Sequence, residues 1–111
     1  MLNEKTLPAA IGEILRQNNY NVEFSRKYSG SEVDIVASPK GAAFGQKLYI
    51  EATISYVDNT KYGKDFTKFG VIRELDPEAI CIIVSLTGFT PDVEERARAS
   101  RVRTYTYNDF F

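Results

Sequence analysis

Leu7, Ala10, Ile11, Ile14 and Leu15 recur three and four residues apart, which predicts a helix from about Thr6 to Asn18 with one buried stripe. Pro8 is tolerated in its first turn, and Glu13 sits on the flank of the stripe. Asn18-Asn19 reads as a stop, Tyr20 to Phe24 as a first strand, and Arg26 to Ser31 as a turn around Gly30. The period then changes from helical to two. In Ser31 to Ala37, Val33, Ile35 and Ala37 share one face while Glu32 and Asp34 share the other. In Lys47 to Ile54, Leu48, Ile50, Ala52 and Ile54 point one way and Tyr49, Glu51 and Thr53 the other. Ser38 to Gln46, which holds Pro39, Gly41 and Gly45, is the loop between these strands.

The second half alternates helix and strand. Asp58-Asn59 can cap a helix from about Thr60 to Leu75, with Tyr62, Phe66, Phe69 and Ile72 toward the sheet. The same phase sends Lys61, Lys64 and Lys68 to roughly the opposite face, and Gly70 reads as a close packing point. Ala79 to Val84 is continuous and largely β-branched, as in a strand buried on both faces with a parallel neighbour. Thr87 to Thr90 is a loop. Thr90 caps and Pro91 opens a third helix to about Ser100, with Val93 and Ala97 inward. Val102 to Tyr107 alternates as a last strand. Antiparallel strands followed by βαβ units give an α/β fold: a central mixed five-stranded sheet flanked by helices.

Composition narrows the function classes. The 111 residues suit one domain, and an apolar fraction of 43% suits a folded one. With no histidine, Ser-His and Cys-His nucleophile schemes and histidine-ligated metals are excluded. The single cysteine, Cys81, lies in an apolar run and reads as an inert buried thiol, consistent with a reducing cytoplasm. No apolar run is long enough for a membrane span. A net charge of −1 means that nucleic-acid affinity, if any, comes from local patches or from metal. The lysine stripe and Arg96, Arg98, Arg101 and Arg103 read as solvated faces or as phosphate contacts, and Tyr105 and Tyr107, on one strand face, read as edge-strand or dimer packing or as a platform for bases. The terminal Phe110-Phe111 would be exposed in an isolated domain, so the chain is expected to be the N-terminal domain of a longer protein or to be covered by a partner.

Asp34 and Glu51 carry the chemistry. Each is embedded in an apolar strand, where a carboxylate is partly desolvated at a cost unless a cation or donors meet it. Two such acids on neighbouring strands repel unless something positive lies between them. A hard divalent ion, Mg²⁺ or Mn²⁺, prefers such oxygen ligands.

The order of these residues resembles the PD-(D/E)XK, or restriction-endonuclease-like, superfamily. Its pattern is an acid on one strand, then an acid, any residue and a lysine on the next. Here Asp34 and Glu51 match, and Thr53 stands where the lysine belongs. Ile83-Val84-Ser85-Leu86-Thr87-Gly88-Phe89-Thr90-Pro91-Asp92 is similar to the Mrr-like branch, and Gly30-Ser31-Glu32-Val33-Asp34-Ile35-Val36-Ala37 resembles archaeal-type Holliday-junction resolvases. The resemblance implies that Asp34 and Glu51, with the carbonyl of Ala52, hold Mg²⁺ and that phosphodiester hydrolysis leaves a 5′-phosphate. It implies that a helix-one glutamate assists, for which Glu13 is the candidate. It implies that Thr53 positions water without supplying charge, or that a lysine from elsewhere substitutes, Lys61 being the least constrained by helical phase.

The implied function is a metal-dependent DNA endonuclease in restriction, defence or repair, acting on double-stranded or branched DNA. It would work as a homodimer, with an attached NTPase or helicase domain possible. The alternative is a catalytically lapsed nuclease fold that binds nucleic acid or mediates assembly.

Overall fold

In the computed structural model, which describes residues 1–41 and 45–110, five strands form one sheet in the order β1-β2-β3-β4-β5. β1 (Tyr20–Tyr28), β2 (Ser31–Pro39) and β3 (Leu48–Thr53) pair antiparallel. β4 (Ile80–Ser85) and β5 (Val102–Thr106) continue the sheet in parallel. The helices are α1 (Thr6–Gln17), α2 (Asn59–Leu75), α3 (Pro91–Ala99) and a short α4 (Tyr107–Phe110). The expected α/β fold with its mixed sheet is therefore present. Two details differ: the first strand runs to Tyr28, shrinking the turn to Ser29-Gly30, and the last strand gives way to α4 at Tyr107. Most of the expected glycine-containing loop is described, but its stretch 42–44 lies outside the described residues.

Alternation sorts the core into two layers except at Val33, which packs in the α2 layer with Val36 and not, as expected, with Ile35 and Ala37, because the strand's regular pairing is interrupted at Asp34. Ile35, Ala37, Leu48, Ile50, Ile82 and Val84 meet Leu7, Ile11 and Leu15 of α1. Val36, Tyr49, Cys81, Ile83 and Val102 meet Tyr62, Phe69 and Ile72 of α2 and Val93 and Ala97 of α3. β4 feeds both layers, as its unbroken apolar run requires. Fully burying a side chain of this kind stabilises by roughly 1.5–3 kcal/mol, against about 0–1 for an exposed ion pair. Among the described residues there are three ion pairs, and Arg16–Glu13 and Arg26–Glu23 are exposed, so the layers hold the sheet.

α1 is tied to β1 through Gly12. A Cβ there would lie 2.5 Å from Cζ of Phe24, so this buried helix position has room only for glycine unless the ring moves. Gly70 behaves otherwise: it is exposed with open space around it, and no close packing explains it. β1 itself is bent. Ser25 has φ +53°, between the pairs Phe24↔Ile35 and Arg26↔Val33. The residue between Ile35 and Val33 is Asp34, so the distortion borders the acid.

Candidate active site

Regular pairing of β2 with β3 ends at Ile35↔Ile50, and Asp34 and Glu51 stand where the next pair would be. Each carboxylate takes the amide that the other strand no longer uses. Asp34 N–H donates to Glu51 Oε2 at 2.9 Å, and Ala52 N–H donates to Asp34 Oδ2 at 2.9 Å. This reciprocal clasp satisfies donors that the broken ladder would orphan. It also fixes the two acids beside each other on the face covered by α2. They line a cleft of about 120 Å³ together with Glu4, Ala52, Thr53, Lys61 and Asp65.

The clasp is electrostatically strained. Burial pushes the Glu51 carboxyl up, the charge of Asp34 pushes it further, and the bonds from Lys68 and the Asp34 amide pull back; the result is about 7. Burial likewise raises Asp34, against the Ala52 amide and Lys68. A third acid, Asp65, is raised by burial to about 6, with Lys68 and Lys61 opposing.

Lys68 is the side chain that the helical phase assigned to solvent, and here the expectation fails. Its Nζ forms an ion pair with Glu51 Oε1. Burial pushes this ammonium down, but Glu51, Asp34 and Asp65 push it up more strongly. The physical reason is the rotation of α2 about its axis. Phe66, expected inward, is 46% exposed, while Tyr62, Phe69 and Ile72 are buried. At 3.6 residues per turn, that rotation brings Lys61, Asp65 and Lys68 round to the sheet side on the flank of Ile72. Lys64 remains exposed.

Thr53 is buried, and its hydroxyl is already engaged. It donates to Glu4 Oε1 at 3.5 Å and accepts from Ser55 N–H at 3.1 Å. Glu4 also accepts from Ile54 N–H at 3.4 Å. Glu4, in the turn before α1, thus reaches the cleft. Glu13 does not: it is exposed and pairs with Arg16. Ser85, also unforeseen, donates to the Ser55 carbonyl and accepts from Thr87 and Gly88 amides, joining the turns that leave β3 and β4. Its only trace in the sequence is a hydroxyl closing an apolar run. Cys81 is a buried free thiol with its pKa raised by burial, away from the cleft lining.

The donor set suits a hard cation. Two clasped, mutually repelling carboxylates are stabilised by positive charge. Among the described residues no group of three or more His, Cys, Asp or Glu side chains forms a metal cage. Two protein carboxylates with the rest of the sphere left to water and phosphate is a pattern that Mg²⁺ accepts. A larger cleft of about 660 Å³ on the α1 face is lined by Leu48, Ile80, Ile82, Tyr105, Tyr107 and Phe110 among others, with no carboxylate, and offers no such chemistry.

Residues 1–111 match the family model Mrr_cat, described as restriction endonuclease. The chain belongs to the Mrr_cat restriction endonuclease family. This membership confirms the restriction-endonuclease-like resemblance. No match is found among curated proteins. Solved structures share the fold. The protein of unknown function AF1548 superposes with a TM-score of 0.76 at 13% identity, over 91% of this chain and 56% of that one. A repair endonuclease from Pyrococcus abyssi gives 0.76 at 12% identity, over 94% of this chain and 46% of that one. The EndoMS-dsDNA2 complex gives 0.69 at 11% identity, over 96% of this chain and 45% of that one. The chain therefore spans about half the length of these structures. Among the described residues no helix is long and apolar enough to cross a membrane.

Proposed function

We propose that this Mrr_cat chain is a metal-dependent DNA endonuclease that hydrolyses phosphodiester bonds at the Asp34–Glu51 clasp. The observation that carries this reading is the clasp itself, with both carboxyls raised and a cation drawn onto Glu51. Asp34, Glu51 and the Ala52 carbonyl would hold Mg²⁺ or Mn²⁺. A bound ion there supplies Lewis acidity toward a phosphate oxygen and lowers the pKa of a coordinated water.

The chain's own residues do the rest. The two hydrogen bonds donated by backbone amides hold the carboxylates in a fixed relation without side-chain reorganisation. Thr53 fixes Glu4 at the cleft, where a further carboxylate can hold water. DNA as substrate is supported by the fold shared with the EndoMS-dsDNA2 complex. Cutting both strands of a duplex would take two copies, so a homodimer is the expected working form.

The test is cleavage of supercoiled plasmid with Mg²⁺ or Mn²⁺. Wild type should nick or linearise it. Asp34→Ala and Glu51→Ala should each slow cleavage at least about a hundredfold, the scale of losing an electrostatic catalytic group, with circular dichroism unchanged. A folded wild type that binds DNA but cuts nothing would favour the lapsed, binding-only reading instead.

A further inference from the structure

We infer that Lys68, from helix α2, supplies the catalytic cation that Thr53 cannot. This rests on the nuclease reading above and goes beyond it by naming the residue. The position that follows Glu51 by two carries a neutral hydroxyl already bound to Glu4 and Ser55. The cleft therefore receives no positive charge from β3. Lys68 brings one from across the layer: its ammonium lies on Glu51 Oε1, while Glu51 Oε2 is held by the Asp34 amide. Its side chain is 25% exposed, largely shielded from bulk water, and it reaches the cleft through Glu51, which lines it. Lys61 lines the same cleft but forms no ion pair among the described residues.

The backbone makes the position reproducible. Asp58 caps α2 by accepting from Lys61 N–H at 3.0 Å, and Tyr62, Phe69 and Ile72 lock the helix rotation that aims Lys68 at β3. The helix thus brings its ammonium to Glu51, the carboxylate that lines the cleft together with Thr53.

In hydrolysis a water oxygen attacks phosphorus and the bond to the 3′ oxygen breaks. The attacking water releases its proton to solvent, and the 3′ oxygen takes one from solvent. Lys68 gives up no proton in this sequence. It stays an ammonium, donates hydrogen bonds to the attacking water and a phosphate oxygen, and offsets the negative charge that builds there.

The experiment compares wild type, Lys68→Met, Lys68→Arg, the exposed control Lys64→Met, Asp34→Ala and the double variant Thr53→Lys/Lys68→Met. Plasmid cleavage and Mn²⁺ affinity by calorimetry are both measured. Lys68→Met should cut about a hundredfold or more slower, as for loss of one transition-state donor, yet bind Mn²⁺ at least as tightly as wild type, since a competing cation has gone. Lys68→Arg should keep part of the activity, and Lys64→Met nearly all of it. Thr53→Lys/Lys68→Met should recover cleavage, because a positive charge then enters the cleft from β3, where position 53 lines it beside Glu51.

Wild-type cleavage by Lys68→Met overturns the inference. So does a Thr53→Lys/Lys68→Met protein that folds and binds Mn²⁺ but stays inactive. Loss of Mn²⁺ binding in Lys68→Met, in step with cleavage, also overturns it, because the lysine would then be structural. If wild type and Asp34→Ala behave alike in both measurements, the nuclease reading fails and the inference falls with it. Loss of activity in Asp34→Ala but not in Lys68→Met defeats the lysine alone.

Discussion

Glu51 is ionised at a cost in the folded chain. Its carboxyl rises from an ordinary 4.5 to about 7, chiefly through burial and then through Asp34. Between those values the folded state binds more protons than the unfolded state, so stability is highest at the acid end and falls as pH rises through the folded pKa. At ~1.4 kcal/mol per pH unit the loss is up to about 3 kcal/mol. Urea unfolding in EDTA should show this decline from about pH 5 to about pH 8. Glu51→Gln should flatten the profile, and Mn²⁺ should restore stability at the alkaline end. A flat wild-type profile would show that Lys68 already compensates the clasp in full. Glu51 and Asp34 were legible because strand alternation isolates an acid among apolar neighbours. Glu4 was not: it precedes the helical stripe, in a turn with no periodicity to aim it, and only the fold brings it to Thr53. Glu13 had periodicity but faces solvent beside Arg16.

The elements themselves were readable where the apolar pattern was strong. α1, β2, β3 and β4 fall within one or two residues of their expected bounds, because a clear period of 3.6 or 2 and flanking glycine, proline or asparagine mark them. α2 was found but its rotation was not. Aromatic residues and lysines are spread round this helix with almost no amphipathic contrast, so a small error in phase moved Phe66 inward and Lys68 outward. The turns after β3 and β4 were equally opaque, since Ser85 acts through hydrogen bonds that no pattern encodes. Its fully buried hydroxyl serves the Ser55 carbonyl at 2.8 Å, the Gly88 amide at 2.9 Å and the Thr87 amide at 3.2 Å. Ser85→Ala leaves these groups without that partner and should cost about 2 kcal/mol, since an unsatisfied buried polar group costs roughly 1–3. Urea denaturation measures this. A loss below about 0.5 kcal/mol, the ordinary range for a surface change, would mean that the turns hold themselves.

At the scale of the molecule, a net charge of −1 gives DNA no general reason to approach, and the cleft gives it a local reason to stay away. Glu4, Asp34, Glu51 and Asp65 line the same small cavity, and of the lysines nearby Lys68 is drawn onto Glu51. A phosphodiester entering this cleft meets more carboxylate than ammonium. Under the proposed mechanism, a divalent ion on the Asp34–Glu51 pair would offset that excess where the phosphate would sit. DNA affinity should therefore depend on metal, not only catalysis. With Ca²⁺ as a non-hydrolytic probe, fluorescence anisotropy of a labelled duplex should show binding at least about tenfold tighter than in EDTA, a gain of ~1.4 kcal/mol. An Asp34→Asn/Glu51→Gln double variant should lose most of the Ca²⁺ effect. It should also bind better than wild type in EDTA at mildly alkaline pH, because the negative charge of these carboxyls has been removed from the phosphate's path. Equal wild-type affinity in Ca²⁺ and EDTA would place the DNA contacts outside the cleft, with the arginines of α3 and β5 the next surface to mutate.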